Sequence, residues 1–325
     1  MALPPVVLAL LSALLLVGCG SSPAGETPDS EATLLLDFQP NAVHSGIYLA
    51  TDRGFDEALG VELDVQVPSS SSDSVRLLLS GEADLGLLSI HDLAIAREQG
   101  RDLVGVMALV QRPLAAVLAL PPVEDPRDLQ GERVGVTGLP SDDAVARSVV
   151  QGAGGDPDAL RLTRIGFNAV PSLLAGNVAA ATAFWNVEGL ALRAQRPQAR
   201  EFRVDEFGAP RYPELVLTVT RSTLDERPAL VEAAVSALAR GYGEVLRDPE
   251  SAVSTLVEST EGLDREVAAA QLDALLPAFS LGTPRFGELD PERLRAWARW
   301  EAEFGIVEEP PDVALAFDGG FVPEP

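Results

Sequence analysis

The strongest constraint on the fold is an alternation of short apolar runs with longer helical segments, which a proline-rich stretch interrupts once. Residues 33–36 form a short apolar run, and residues 61–67 alternate between apolar and polar like a half-buried strand. Residues 46–59, between these two runs, are predicted to be helical. The stretch 121–126 breaks regular structure, and the alternation restarts at residues 128–136. Strands that alternate with helices predict an α/β protein with mostly parallel sheets.

The length of 325 residues indicates two lobes, because a single hydrophobic core rarely grows that large. We expect lobe 1 to comprise residues 32–119 and 219–325, and lobe 2 to comprise residues 120–218. The apolar run at 215–219 predicts a strand that leads back to lobe 1. Helices that pack on lobe 1 are then predicted at about 227–246, 249–258, 265–275 and 291–304.

The amino terminus has the pattern of a lipoprotein signal. Residues 1–17 contain no charged side chain, and Gly-Cys at 18–19 is followed by small polar residues. The run is shorter than the roughly 20 residues that a transmembrane helix needs. We therefore predict a signal peptide over 1–18, acylation of Cys19 and a lipidated tether over 19–31, which together would hold the protein on the outer face of the membrane.

Composition excludes several classes of function. The formal net charge of -25 opposes binding to nucleic acid, which requires clustered basic residues. All 24 basic residues are arginines, so no lysine is available to form a Schiff base with a cofactor such as pyridoxal phosphate. Cys19 is the only cysteine, and two histidines alone do not make a metal site. We therefore expect neither a cofactor nor a metal, and no enzymatic activity.

Residues 37–48, Asp-Phe-Gln-Pro-Asn-Ala-Val-His-Ser-Gly-Ile-Tyr, resemble the amino-terminal motif of binding proteins for thiamine pyrimidine precursors, D-W-x-P-N-x-x-H-x-G-x-Y. The same order of parts follows in Gly-Glu-Ala-Asp-Leu-Gly at 81–86, Asp-Leu-Gln-Gly at 128–131 and Phe-Trp-Asn-Val-Glu-Gly at 184–189. The likeness extends over about residues 34–220. The element at 81–86 is shared with alkanesulfonate- and nitrate-binding proteins, and therefore indicates only the wider superfamily.

The resemblance implies a type II periplasmic-binding-protein fold that closes over a small heterocycle. It also implies delivery of the ligand to an ABC permease and the ATPase of that permease. We expect the protein to be a monomer. A thiamine pyrimidine precursor is the ligand that the motif favours. Riboflavin-binding proteins of the group are similar, so riboflavin, an alkanesulfonate and other small organic ligands stay open as alternatives.

Eukaryotic pyrimidine synthases share this fold, and the resemblance therefore also raises an enzymatic alternative. Those synthases carry a lysine for pyridoxal phosphate, a reactive histidine in the loop after the Gly-x-x-Asp-x-Gly element and a cysteine-rich segment. Only the histidine has a counterpart in this chain, His91, and its alignment is shifted by about one residue. Synthase chemistry is therefore disfavoured.

The predicted ligand contacts from lobe 1 lie in two loops that join a strand to a helix, where open α/β sheets bind ligands. His44 and His91 are expected to face the cleft, because an imidazole can hydrogen-bond both ring nitrogens and exocyclic amines. Phe38 replaces the tryptophan of relatives and can stack on a flat ring, whereas Tyr48 fits the core better. The same loops contribute the other three candidates, Asp37, Asn41 and Ser89. The alternative for Asn41 is a helix cap, and for each histidine a hydrogen bond within its own loop.

The predicted contacts from lobe 2 follow the strand that ends near Phe184. Trp185 offers a stacking face, Asn186 offers a donor and an acceptor, and Glu188 offers a carboxylate for an amino group. The loop at 137–141 precedes a helix whose free amides could hold an anion. The two acidic residues in the first turn of that helix, Asp142 and Asp143, would repel an anion, so the sequence does not predict an anion site there.

Overall fold

The computed structural model describes residues 30–68, 73–281, 283 and 285–324. The predicted signal peptide, the acylated Cys19 and nearly all of the tether lie outside the described residues. None of the helices in these ranges is both long and apolar enough to cross a membrane. The described chain forms two five-stranded sheets covered by helices, which confirms the predicted α/β class.

The two sheets use ten strands of four to six residues each. In chain order they are β1 (Ser30–Leu35), β2 (Val61–Gln66), β3 (Leu85–Ser89), β4 (Leu103–Ala108), β5 (Ala115–Ala119), β6 (Arg133–Val136), β7 (Arg161–Arg164), β8 (Ala180–Phe184), β9 (Arg200–Arg203) and β10 (Leu215–Thr220). Lobe 1 has the order β2-β1-β3-β10-β4, and lobe 2 has the order β7-β6-β8-β5-β9.

The two lobes share one topology. In lobe 1, β1 runs parallel to β2 and β3, whereas β10 runs antiparallel to both of its neighbours. In lobe 2, β6 runs parallel to β7 and β8, and β5 is the antiparallel strand. Each sheet therefore receives its antiparallel strand from the chain that has just crossed from the other lobe.

The two crossovers lie at residues 109–114 and 204–214, between strands of different sheets. They precede the boundaries expected at 120 and 219, so β5 belongs to lobe 2 and all of β10 belongs to lobe 1. The reason is that β5 is apolar throughout and follows β4 closely, which makes the two resemble consecutive strands of one sheet. Only the pairing of β5 with β8 and β9 assigns it to lobe 2.

The four long carboxy-terminal helices begin within a residue of their predicted starts, whereas the helix predicted over residues 46–59 ends early. In chain order they are α1 (Ser45–Asp52), α2 (Asp73–Ser80), α3 (Ile90–Glu98), α4 (Pro140–Gly152), α5 (Ala169–Leu174), α6 (Leu190–Gln195), α7 (Arg221–Glu226), α8 (Pro228–Arg247), α9 (Pro249–Ser259), α10 (Arg265–Phe279), α11 (Pro291–Glu303) and α12 (Val313–Ala316). The helix expected over 46–59 ends at Asp52, because the chain turns at Gly54 with a φ of 63°.

Close packing of α1 on α8 fixes the loop that precedes α1. A Cβ atom on Gly241 would lie 2.1 Å from the carbonyl oxygen of Gly46, so only glycine allows the two helices to approach this closely. The hydroxyl of Tyr242 donates a hydrogen bond to the Val43 carbonyl at 2.7 Å. The carboxy-terminal helices thereby hold the 37–44 loop in place.

Helix α11 contacts both lobes, although it was expected to pack on lobe 1 alone. The Trp300 indole donates a hydrogen bond to the Ser148 hydroxyl of α4 at 3.1 Å, and both side chains are buried. Trp300 also packs against Tyr212 of the second crossover, with ring centroids 5.6 Å apart. The carboxy-terminal helix therefore lies against the region where the chain crosses between the lobes.

Candidate functional site

A cleft of about 150 Å³ lies between the two lobes, at the carboxyl ends of strands β3, β6 and β8. A cavity of about this volume in another protein accommodates benzene, so the cleft has room for a single six-membered ring. Lobe 1 and the second crossover contribute Phe38, Ser89, His91, Asp92 and Glu214. Lobe 2 contributes, among others, Thr137, Asp142, Phe167, Thr182, Phe184 and Glu188.

Two exposed phenylalanines face each other across the cleft. Phe38 follows β1 and is 40% exposed, whereas Phe167 follows β7 in the other lobe and is 64% exposed. Their ring centroids lie 5.9 Å apart at an interplanar angle of 42°. Large apolar side chains seldom remain this exposed without a partner, so the pair provides two apolar surfaces for a flat ligand.

Four carboxyl groups line the cleft, and each is partly or fully buried. Three of them accept backbone N–H groups: Glu214 from Leu114 at 2.7 Å, Glu188 from Phe184 at 3.2 Å and Asp142 from Thr137 at 2.8 Å. Burial raises the pKa of all three carboxyls, against the opposing effect of these hydrogen bonds. The cleft therefore concentrates negative charge in a poorly solvated space.

Asp92 is the fourth carboxyl and differs from the other three in its bonding. Within the described ranges its side chain makes no hydrogen bond and no ion pair. Burial raises the pKa of Asp92 to about 6, although the neighbouring charge of His91 opposes the shift. Asp92 is thus ionised at neutral pH and has both oxygens available to a ligand.

His91 is a buried cation that also borders the cleft. Its Nδ1 is hydrogen-bonded to Oε1 of Glu301, and its Nε2 has no partner among the described residues. Burial lowers the pKa of His91, but the charge and hydrogen bond of Glu301, with the charges of Glu214 and Asp92, outweigh burial and raise the pKa to about 9. At neutral pH both ring nitrogens therefore carry a proton, and Nε2 is free to donate.

His44 is fully buried and does not line the cleft, although the sequence favoured a cleft position for it. Its Nε2 contacts Oδ1 of Asp37 at 2.9 Å, and its Nδ1 accepts the backbone N–H of Asn41 at 3.1 Å. Asn41 accepts the N–H of Val43 at 3.0 Å and so caps the following turn. These three predicted contacts, Asp37, Asn41 and His44, instead stabilise the loop that presents Phe38.

Trp185 and Asn186 also lie outside the cleft. Trp185 is 1% exposed, donates its indole N–H to the Pro113 carbonyl at 2.9 Å and packs against the Arg203 guanidinium, 4.0 Å from the ring centroid. Asn186 is buried, without a hydrogen-bond partner in the described residues. Residues 185–189 form a π-helical turn in which residues 184 and 188 line the cleft, and Trp185 is directed towards the first crossover. Only Glu188 of the predicted cluster therefore lines the cleft.

The cleft offers little to an anion or a metal ion. No arginine is among the described residues that line it, and His91 is its only basic side chain. No group of three or more His, Cys, Asp and Glu side chains that could hold a metal ion occurs in the described parts of the chain. The arrangement instead suits a flat ligand that has amino groups and at least one hydrogen-bond acceptor.

Comparison with known proteins agrees with this description. A family model described as NMT1/THI5 like matches residues 41–252. The chain belongs to this family. A formylaminopyrimidine-binding protein of Halalkalibacterium halodurans is 28% identical over 94% of this chain and 95% of its own length. A 4-amino-5-hydroxymethyl-2-methylpyrimidine phosphate synthase of Legionella pneumophila is 23% identical over 91% of this chain and 93% of its own length.

The solved structures confirm the fold expected from the family. The periplasmic aliphatic sulphonate binding protein of Escherichia coli superposes with a TM-score of 0.71 at 16% identity. The superposition covers 92% of this chain and 93% of the E. coli protein. The relatives of this chain thus include both a binding protein and a synthase by name.

Proposed function

We propose that this protein is the solute-binding component of an ABC importer and captures a small amino-substituted heterocycle, of which a thiamine pyrimidine precursor such as formylaminopyrimidine is the leading candidate. The observation that carries the proposal is the combination of a one-ring cleft, two opposed phenylalanines and an unpaired carboxylate, Asp92. The name of the H. halodurans relative supports the same ligand class.

The chemistry of an aminopyrimidine matches the cleft group by group. The flat ring can stack on Phe38 or Phe167, whose own rings contact each other, and the amino group can donate to Asp92 or Glu188. A ring nitrogen can accept the free Nε2–H of His91. Polar groups of the cleft that are buried without partners among the described residues would then be satisfied in the complex.

The alternative ligands fit less well. A sulfonate or a phosphate ester would meet four carboxyl groups and no arginine among the described lining residues. A three-ring flavin exceeds a cleft of about 150 Å³. A synthase that uses pyridoxal phosphate needs a lysine, and the sequence contains none. We therefore propose binding and release of an unaltered ligand.

The anchor and the partners are proposed from the sequence. A lipid on Cys19 would hold the protein at the outer face of the membrane, near the permease and the ATPase that receive the ligand. We propose that the protein works there as a monomer. Intact-mass measurement of the protein extracted from its native membrane tests the acylation, since an unmodified cysteine or an uncleaved amino terminus would contradict it.

The function is tested by titrating the purified protein with formylaminopyrimidine, riboflavin and an alkanesulfonate, each followed by calorimetry and thermal unfolding. We expect saturable binding of the pyrimidine alone, with an unfolding temperature that rises with ligand concentration. The ligand should be recovered chemically unchanged. Binding of riboflavin or the sulfonate without the pyrimidine would refute the proposed ligand, and turnover of the pyrimidine would refute the binding role.

The phenylalanine pair makes a separate prediction. Phe38→Ala and Phe167→Ala should each weaken pyrimidine binding about twofold to tenfold, since an aromatic contact contributes about 0.5–1.5 kcal/mol. Both side chains are exposed, so the free energy of unfolding should change little. Phe38→Trp, which restores the residue of the resembling motif, should retain binding. Unchanged affinity in both alanine variants would show that the ring binds elsewhere.

A further inference from the structure

The charge of His91 depends on a residue that does not line the cleft. Glu301 belongs to α11, is fully buried and is separated from His91 by 210 positions in sequence. Its Oε1 is hydrogen-bonded to Nδ1 of His91, and its Oε2 has no partner in the described chain. Burying a carboxylate is costly unless a cation compensates for it, and His91 is the cation that contacts Glu301.

We propose that His91 selects the ligand through a hydrogen-bond acceptor, and that Glu301 is the positioning residue that keeps His91 protonated and correctly oriented from behind the cleft. The inference deepens the proposed function and rests on it, because it specifies which atoms the ligand must present. A carboxy-terminal helix outside the cleft would then contribute to specificity.

Among the described residues, each ionisable group that faces His91 either favours the imidazolium or is neutral. The acidic ones come from four elements: Glu301 of α11, Asp92 of α3, Glu214 before β10 and Asp142 of α4. The Tyr212 ring lies edge-on to the imidazole at a centroid distance of 5.2 Å, which restricts its rotation. With Nδ1 bonded to Glu301, the Nε2–H is the one donor that the ring can offer to a ligand.

The position of Asp92 further restricts which hydrogen-bonding groups the ligand must present. His91 and Asp92 both line the cleft from the first turn of α3, so a donor and an acceptor of the protein border the same ligand space. The complementary ligand presents both an acceptor atom and an amino group. The ring nitrogen and exocyclic amine of a 4-aminopyrimidine provide both, whereas aniline has the ring and the amine but no ring nitrogen.

The charge of His91 can be measured directly, because the chain contains only two histidines. In protein labelled with ¹⁵N-histidine, the signals lost in His91→Gln identify this residue, and His44 serves as an internal reference. We expect both ring nitrogens of His91 to stay protonated across neutral pH in the unliganded wild-type protein. In Glu301→Gln the pKa of His91 should fall from about 9, since the charge and the hydrogen bond of Glu301 no longer oppose the effect of burial. Glu303→Gln, an exposed position on the same helix, is the matched control and should leave His91 unchanged.

Ligand binding separates this positioning role from a purely structural one. At pH 7.5, Glu301→Gln should weaken binding of 4-aminopyrimidine about tenfold. The loss should become smaller at pH 6.5, where more of His91 is protonated and Asp92, with a pKa of about 6, is still mostly ionised. Binding of aniline should be equally weak in the wild-type protein, Glu301→Gln and Glu303→Gln, because aniline lacks the acceptor.

A neutral His91 in the wild-type protein at pH 7 would overturn the inference, and this measurement needs no variant to fold. The inference would also be overturned if Glu301→Gln folded with a neutral His91 yet bound 4-aminopyrimidine as tightly as the wild-type protein. If no pyrimidine bound the wild-type protein, the proposed function would fail and the selecting role of His91 would fail with it. The protonation of His91 by Glu301 would still be decided by the NMR titration, so the two failures are distinguishable.

Discussion

Replacing Trp185 by alanine is expected to lower the free energy of unfolding by about 3–5 kcal/mol, which is a large fraction of the stability of a typical domain. The side chain is almost fully buried, its indole N–H is bonded to the Pro113 carbonyl, and Arg203 packs on its ring. The substitution therefore opens a cavity beside the first crossover and leaves a buried carbonyl without its donor. Chemical denaturation of the wild-type and variant proteins measures the difference.

Ligand affinity provides the contrast, because Trp185 does not line the cleft. In the folded fraction of Trp185→Ala, affinity for a pyrimidine should stay within about threefold of the wild-type value, a difference below about 0.7 kcal/mol. Trp185→Phe retains most of the apolar volume and loses the hydrogen bond, so it should cost only about 1–2 kcal/mol of stability. A Trp185→Ala protein of unchanged stability that no longer bound ligand would place the tryptophan in the binding site after all.

Most of the fold could be predicted because its elements are set by local pattern. The alternation at 61–67 gave the strand Val61–Gln66, and the carboxy-terminal helices began within about a residue of their predicted starts. The sheet to which β5 belongs could not be predicted in the same way, because β5 has no polar face that could assign it to a lobe. That assignment depends on pairing with β8 and β9, about 60 and 85 residues farther along the chain.

The candidate site was predictable in position but only partly in composition. Four of the residues predicted at strand ends, Phe38, Ser89, His91 and Glu188, line the cleft, since parallel strands present their carboxyl ends at one edge. Phe167 was missed, although a lone aromatic residue in a polar turn after the strand Arg161–Arg164 was a usable signal. The chemical type of the residues alone therefore indicates where a site lies more readily than it identifies which residues line the site.

Long-range partners explain the residues that sequence reasoning misjudged. The bond from Trp185 to Pro113 spans 72 positions and turns an apparent stacking residue into a core residue. The bond from His91 to Glu301 spans 210 positions and makes a histidine of ordinary appearance a stable cation. Neither partner can be identified from the local sequence, because the tertiary fold determines which residues form hydrogen bonds at this separation.

Asp92→Asn is expected to change ligand affinity and stability in opposite directions. Loss of a charge-assisted hydrogen bond to the amino group should weaken pyrimidine binding about tenfold to hundredfold. Asp92 has no hydrogen-bond partner in the described chain, and burial raises its pKa from 3.8 to about 6. At pH 7 its charge therefore destabilises the folded state, and removal should raise the free energy of unfolding by about 1–2 kcal/mol after allowance for partial solvent exposure.

The pH dependence gives the same residue an independent signature. The pKa of Asp92 is higher in the folded state than in the unfolded state, so Asp92 contributes most to folding stability below its unfolded pKa of 3.8. This contribution is lost as pH rises through about 6. The stability gained by Asp92→Asn over the wild-type protein should accordingly shrink as pH falls from 7 to 4. Pyrimidine affinity of the wild-type protein should fall as pH drops through about 6, where the carboxylate becomes protonated. In Asp92→Asn this dependence should largely disappear.

Asp225→Asn, at an exposed position of α7, should reproduce neither effect. An Asp92→Asn protein that lost stability and binding together would instead make Asp92 a structural residue, and the carboxylate that binds the amino group would then have to be Glu188, Asp142 or Glu214.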